Sequence, residues 1–261
     1  MAATVKLFSL FFLLLILGCS STPTGRSQLK LMSSSQMDTM GDQSFSEMKK
    51  NTKISHDARK NEYVRCVSYQ LLRTLGRDPA QWEVVVFDDA QINAFALPGK
   101  NIGVYTGILG IATDQAELAA VLGHEIGHVD ANHGNERVSQ NILVSGGLNI
   151  AQIALAMKGN ENGQLIMAGL GLGAQFGILL PYSRKHESEA DLIGLKYMAR
   201  AGFDPRGSVR LWEKMAKAAS QGPEFVSTHP NPSTRIRDLN AQMSEAMQLY
   251  QQSASKPSCH L

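Results

Sequence analysis

Apolar and polar positions change period several times along this chain, and each change marks an element. Leu7–Leu17 is almost wholly apolar and follows a short N-terminus carrying Lys6. That run is too short to span a bilayer and has the architecture of a secretory signal. From there to about Lys50 the chain is polar, Ser- and Met-containing and almost aperiodic, with room for one short helix, so it reads as a tether. Trp82–Phe87 and Ile102–Thr106 are rich in β-branched and aromatic residues and read as strands. Asn93–Ala96 reads as a short strand that stops at the Pro98-Gly99 turn signal. From Asp114 to His133 the period becomes helical, with Leu118, Val121, Leu122, Ile126 and Val129 forming an apolar stripe. A further helix opens at Ser183, and Asp204–Met215 and Pro232–Leu239 read as helices that start at Pro signals.

Ile142–Met157 and Leu165–Leu180 are apolar and rich in Gly and Ala, each about 16 residues and short of the ~20 that span a bilayer. They are expected to be two helices beside a cleft, as a lid or a bilayer-touching surface. The whole pattern predicts an α+β domain, mostly helical, with a small β-sheet beside the central helix.

The central helix carries His124-Glu125-Ile126-Gly127-His128. At about 100° per residue, two histidines four apart lie roughly 40° from each other on one helix face. Glu125 lies about 60° from His128 on the same side. One helix can therefore offer two neutral imidazoles to zinc and hold a carboxylate beside the water it activates. A lone His on an apolar face is ordinarily a core residue, and a five-residue pattern can arise by chance; the apolar helical stripe and a second acidic motif downstream weigh against chance here. His133 falls one residue short of the third-ligand position of the longer motif, where this chain has Gly134, and reads as a cap or packing residue.

Two histidines need a third protein ligand and an open position. Ser183-Arg184-Lys185-His186-Glu187-Ser188-Glu189-Ala190-Asp191 supplies it. Glu187 and Asp191 are four apart on one helix face, which suits a carboxylate ligand with a second acid one turn on. Asp191 would then accept the Nδ1 proton of a ligand His and fix its tautomer. Glu189 points elsewhere and reads as a solvated first-turn acid favoured by the helix dipole.

Composition narrows the picture. The chain has 261 residues, 43% of them hydrophobic, so a core of ordinary size remains after the signal and tether. A net charge of +2 says nothing about nucleic acid, and no basic cluster or aromatic-basic interleaving supports such a partner. There are three cysteines. With Cys19 set aside, Cys66 and Cys259 could pair in an oxidising compartment. The tail Ser258-Cys259-His260-Leu261 also leaves open a ligand that reaches the zinc's open position.

Together, His-Glu-Ile-Gly-His, the Glu187–Asp191 segment and the upstream Asn93-Ala-Phe-Ala-Leu-Pro-Gly99 resemble the zinc metallopeptidase family of HtpX and the CAAX prenyl protease. The likeness runs from about Asp57 to Leu239 and is greatest to the small periplasmic lipoprotein members of that family. It implies a gluzincin-type zincin domain holding one Zn2+ through His124, His128 and Glu187, with Glu125 as general base and Asp191 behind the ligands. It further implies that His229, in the dipeptide His229-Pro230, stabilises the oxyanion, and that Asn93 and Ala94 line up an extended substrate. Ile16-Leu17-Gly18-Cys19 resembles the bacterial lipobox, departing from it in the first-position Ile, and would make Cys19 the lipidated residue. Ser20 after it resembles lipoproteins sorted to the outer membrane.

The expected organisation is a lipoprotein signal peptide over 1–18, a lipidated N-terminus and tether over 19–55, the peptidase domain over 56–250 and a tail over 251–261. The expected function is a zinc endopeptidase acting on unfolded or misassembled envelope proteins, anchored by lipid to the periplasmic face of the bacterial outer membrane. The alternative is a chaperone-like envelope binding protein with a latent or structural zinc site, although Glu125 would be superfluous there. A zinc hydrolase of cell-wall peptides shares the chemistry but would want a wall-binding segment, which the sequence does not display.

Overall fold

The computed structural model describes residues 19–156, 183–218, 229 and 232–261. The expected signal peptide and the second apolar stretch, Leu165–Leu180, lie outside the described residues. The chain divides into two compact units, one formed by residues up to Ser33 with Asn132–Leu180, the other by Ser34–Ala131 with Pro181–Leu261.

In the first unit, β1 (Cys19–Ser21) and β2 (Ser27–Leu29) pair antiparallel, with Cys19 opposite Leu29. Their connection turns at Gly25, whose φ of 88° is open to glycine at no steric cost. Both of the Arg26 terminal nitrogens donate to the Glu136 carboxylate, at 2.8 and 2.7 Å. Leu31 N donates to Ser139 Oγ at 2.8 Å, and Asn135 Nδ2 donates to Met32 O at 2.7 Å. The N-terminal stretch is thereby docked along a helix, His133–Ala156, rather than free. That helix includes most of the first apolar stretch, Ile142–Met157.

The tether reading also fails for residues 34–51, which form α1 (Ser34–Asn51) of the second unit. Met37, Gly41 and Phe45 fall at i, i+4 and i+8 and are buried together. Phe45 packs against Phe87 and Phe95 at 6.2 and 6.0 Å between ring centroids. A Cβ at Gly41 would lie 2.0 Å from Pro98 O, so glycine sets how closely the helix approaches that turn.

α2 (Ala58–Thr74) is capped by Asp57, whose side chain accepts from Arg59 N and Lys60 N. The sheet follows as β3 (Glu83–Phe87), β4 (Ala94–Leu97) and β5 (Asn101–Tyr105), in the spatial order β3-β5-β4. β3 runs parallel to β5 and β4 antiparallel to it, so β4 is an edge. α3 (Gln115–Asp130) packs against β4. Its N-cap is Asp114, which accepts from Ala116 N at 2.8 Å and Glu117 N at 2.9 Å.

α3 ends sooner than its pattern suggests, because Asn132 adopts a left-handed φ of 54°. His133 therefore opens the next helix, α4 (His133–Ala156), and is fully buried there. α5 (Arg184–Arg200), α6 (Arg206–Ala218) and α7 (Pro232–Gln252) complete the second unit. Its core gathers Val64, Leu71, Ile102, Leu122, Ile126 and Met198. None of the described helices is long and apolar enough to cross a membrane.

The pairing of Cys66 with Cys259 is present, with Cα atoms 5.8 Å apart, and ties the tail to α2. Cys259 N donates to Gln115 Oε1 at 2.7 Å, and Gln115 Nε2 donates to Pro257 O at 3.0 Å. His260 is exposed and bonded to Ser258 Oγ at 2.7 Å. The tail is a staple at the start of α3 and not a fourth ligand, since its thiol is spent and its imidazole faces outward.

Candidate metal centre

Two helices build the centre by crossing at glycine. A Cβ on Gly194 of α5 would lie 2.6 Å from His124 N, and one on Gly123 of α3 would lie 2.9 Å from Gly194 O. Only bare backbone permits that approach. It sets the His124–His128 face of α3 against the Glu187–Asp191 face of α5. Ser183 caps α5, accepting from His186 N at 3.3 Å, and so places Glu187 in the first turn.

His124 Nε2 lies 3.0 Å from His128 Nε2 and 3.4 Å from Glu187 Oε2, while His128 Nε2 lies 3.3 Å from Glu187 Oε1. His229 Nδ1 joins them, 3.2 Å from His124 Nε2 and 3.0 Å from Glu187 Oε2. One ligand atom from each of the four lies within 4.8 Å of the others, and all four residues are buried. Zinc bonds of 2.0–2.2 Å at tetrahedral angles put ligand atoms about 3.3–3.6 Å apart. The observed spacings and the N/O donor set fit such a centre.

Burial first, and then the neighbouring His124, hold His128 well below the usual imidazole range, so it is the neutral base a metal requires. Burial works to raise the Glu187 carboxyl, but the charge of His229 and hydrogen bonds from His124 and His128 outweigh it and keep Glu187 ionised. Asp191 is likewise buried, and the Arg235 guanidinium beside it lowers its carboxyl. Asp191 Oδ1 lies 3.0 Å from His124 Nδ1, the arrangement that leaves Nε2 to face the metal.

Glu125 differs from these acids. Burial raises it to about 7, with the charge of His229 opposing and that of Glu187 adding. Its Oε1 makes no hydrogen bond, and His229 Nε2 is 3.6 Å from that oxygen. A buried carboxylate oxygen left unsatisfied beside a metal-ligand group suits a proton acceptor.

The edge strand is oriented by its register. Tyr105 N donates to Asn93 O at 3.0 Å, so the pair 93/105 is the hydrogen-bonded kind and Ala94 and Ala96 turn their backbone groups away from β5. Ala96 N–H reaches the Glu125 carboxylate. Ala94 shares that orientation away from β5, and the residue is itself buried, 1% exposed. Asn93 lies just before the strand and bonds to Tyr105, so of the expected pair only Ala94 presents an outward backbone group.

Among the expected site residues, His124, Glu125, His128, Glu187, Asp191 and His229 come together. Glu189 does not behave as a solvated acid but is buried, 7% exposed. Sequence reading missed Arg235, 2% exposed, with Nη1 2.8 Å from Glu187 Oε2 and Nε donating to Asp191 Oδ2 at 2.6 Å. A signal was available: Arg235 stands in the first turn of α7, where the helix dipole disfavours a cation unless acids answer it.

The sequence profile of peptidase family M48 matches residues 58–243. The chain belongs to peptidase family M48. The mitochondrial metalloendopeptidase OMA1 of Schizosaccharomyces pombe is 38% identical over 187 residues, which cover 70% of this chain and 53% of that protein. The OMA1 of Saccharomyces cerevisiae is 34% identical over 186 residues, covering 67% and 51%. The beta-barrel assembly-enhancing protease of Escherichia coli K12 is 26% identical over 238 residues, covering 88% and 48%. The chain thus spans about half the length of these relatives. M48 metallopeptidases use zinc, and the four-residue group is able to hold one such ion.

Proposed function

We propose that this chain is a zinc-dependent endopeptidase that cleaves unfolded or misassembled proteins of the bacterial cell envelope, from the periplasmic face of the outer membrane. The observation that carries the chemistry is the convergence of His124, His128 and Glu187 around one point, with the unbonded Glu125 Oε1 beside them. Zinc held there supplies a Lewis acid that polarises the scissile carbonyl and acidifies water. Glu125 takes the proton of the attacking water and returns it to the leaving amine. The outward edge of β4 at Ala94 pairs with the substrate backbone, which favours extended chains over folded ones. His229, poised between Glu125 and the ligands, donates to the oxyanion.

Three features support the compartment: the lipobox-like Ile16–Cys19, the Cys66–Cys259 disulfide, which suits an oxidising space, and the likeness to a protease named for β-barrel assembly. Cys19→Ser should release the protein from the membrane fraction; unaltered membrane association would rule out this anchor.

A second reading draws on the same geometry. His229 Nδ1 sits among the ligand atoms, where it can close the centre, leaving a protein that binds envelope clients without cutting them. Zinc content and cleavage of an unfolded protein, compared between parent and Glu125→Gln, separate the two. Cleavage by the parent alone supports the peptidase; cleavage by neither, with zinc in both, supports the binding protein.

A further inference from the structure

Arg235 contributes no metal-ligand atom, yet it bears on three residues of the centre. Its Nη1 is 2.8 Å from Glu187 Oε2, an ion pair without the geometry of a hydrogen bond. Its Nε and Nη2 fork onto the two oxygens of Asp191, whose Oδ1 in turn lies 3.0 Å from His124 Nδ1. The guanidinium carbon sits 3.4 Å from the centroid of the Trp212 indole, which gives the fork a flat wall on α6.

We propose that Arg235 is the positioning residue of this centre: held against Trp212, it fixes Glu187 directly and His124 through Asp191, and so sets the strength of zinc binding and the rate of turnover. The turnover part rests on the peptidase reading; the metal part rests on the geometry of the chain alone.

The argument is one of shape more than charge. The tautomer that frees His124 Nε2 carries its proton on Nδ1 and gives it to Asp191 Oδ1, 3.0 Å away. That bond holds the ring only if Asp191 cannot rotate, and a bidentate guanidinium on both its oxygens is what prevents rotation. The remaining nitrogen faces Glu187 Oε2 as an ion pair, so a carboxylate and an imidazole on different helices share one cationic support. A lysine would carry the same charge, but its single ammonium cannot reach these three oxygens together or lie flat on an indole. A plain fold-stabilising ion pair is a weaker account, because α7 already docks through the buried Leu239 and Ala246.

The test measures zinc affinity by chelator competition, and the visible absorption of the Co2+-loaded protein, in the parent, Arg235→Lys and Trp212→Leu, with kcat and KM for an unfolded protein at saturating zinc. Arg235→Lys should weaken zinc binding about 10- to 100-fold, change the cobalt spectrum and lower kcat with KM little altered. Trp212→Leu should move the same quantities in the same direction by less. Parental zinc affinity and an unchanged cobalt spectrum in Arg235→Lys, with only a lower melting temperature, would overturn the proposal. If Arg235→Lys does not fold, Trp212→Leu decides, and parental zinc affinity there overturns it too. A parent that binds zinc and cleaves nothing would sink the peptidase reading, while the affinity comparison would still decide the role of Arg235.

Discussion

Replacing Gly194 by Ala tests whether the helix crossing makes the metal centre. The added methyl would lie 2.6 Å from His124 N, 2.8 Å from Gly123 C and 2.9 Å from His124 Cα, all of them backbone atoms. Ordinary contact begins at 3.4 Å, so α3 and α5 must part by 3.4 − 2.6, about 0.8 Å. Distances of 3.3 and 3.4 Å from the two histidines to Glu187 then stretch to about 4 Å, beyond the ~3.6 Å that zinc bonds can bridge. Overpacking costs about 1–3 kcal/mol, and alanine returns about 1 kcal/mol of helix propensity, so net stability falls by roughly 0–2 kcal/mol. Metal affinity is the sensitive readout. Chelator competition should show zinc binding weakened at least about 10-fold, a cost of about 1.4 kcal/mol. A Gly194→Ala protein with parental zinc affinity and parental turnover would refute the claim that this close crossing sets the ligand geometry.

Removing the disulfide by Cys66→Ser with Cys259→Ser frees a loop with a sequence separation of 193 and should lower stability by about 2–5 kcal/mol, read by urea unfolding; an unchanged midpoint would refute its role as a staple. In the metal-free chain the Glu125 carboxyl is raised from 4.5 to about 7, so the stability it contributes is present below about 4.5 and is lost as pH rises through about 7. Metal-free Glu125→Gln should therefore match the parent near pH 4 and exceed it by on the order of 3 kcal/mol at pH 8; equal urea midpoints at pH 8 would contradict the burial argument. Ala94→Pro removes an N–H that faces away from β5, so it should spare the β4–β5 hydrogen bonds and raise KM for extended substrates; an unchanged KM would exclude β4 as the docking edge.

The parts of the site that sequence made legible are those fixed by periodicity within one helix. His124, Glu125 and His128 share a face of α3 by spacing alone, and Glu187 and Asp191 share a face of α5 in the same way. The edge strand at Ala94 was readable from its composition and the Pro98-Gly99 turn. What no local pattern could show is how the faces meet. The approach of α3 to α5 depends on Gly123 and Gly194 meeting at one point, and single glycines in helical patterns hint at close packing without naming the partner. Arg235 is a matter of tertiary placement, visible beforehand only as a cation at the wrong end of a helix. α1 was obscured because its Ser-rich surface outweighs the three positions, Met37, Gly41 and Phe45, that it buries. His133 was misplaced on a continuing helix because a left-handed Asn132 leaves no mark on hydrophobic spacing.

The central claim is that one metal, held by side chains of α3 and α5, makes this chain a peptidase through Glu125. The most direct measurement strips the purified protein with a chelator, titrates zinc back and follows cleavage of an unfolded protein alongside bound metal. The account predicts that cleavage returns in step with zinc and saturates at one ion per chain, while Glu125→Gln takes up the same ion and loses at least about 100-fold in rate. Cleavage by the stripped protein, or by Glu125→Gln at the parental rate, would contradict it.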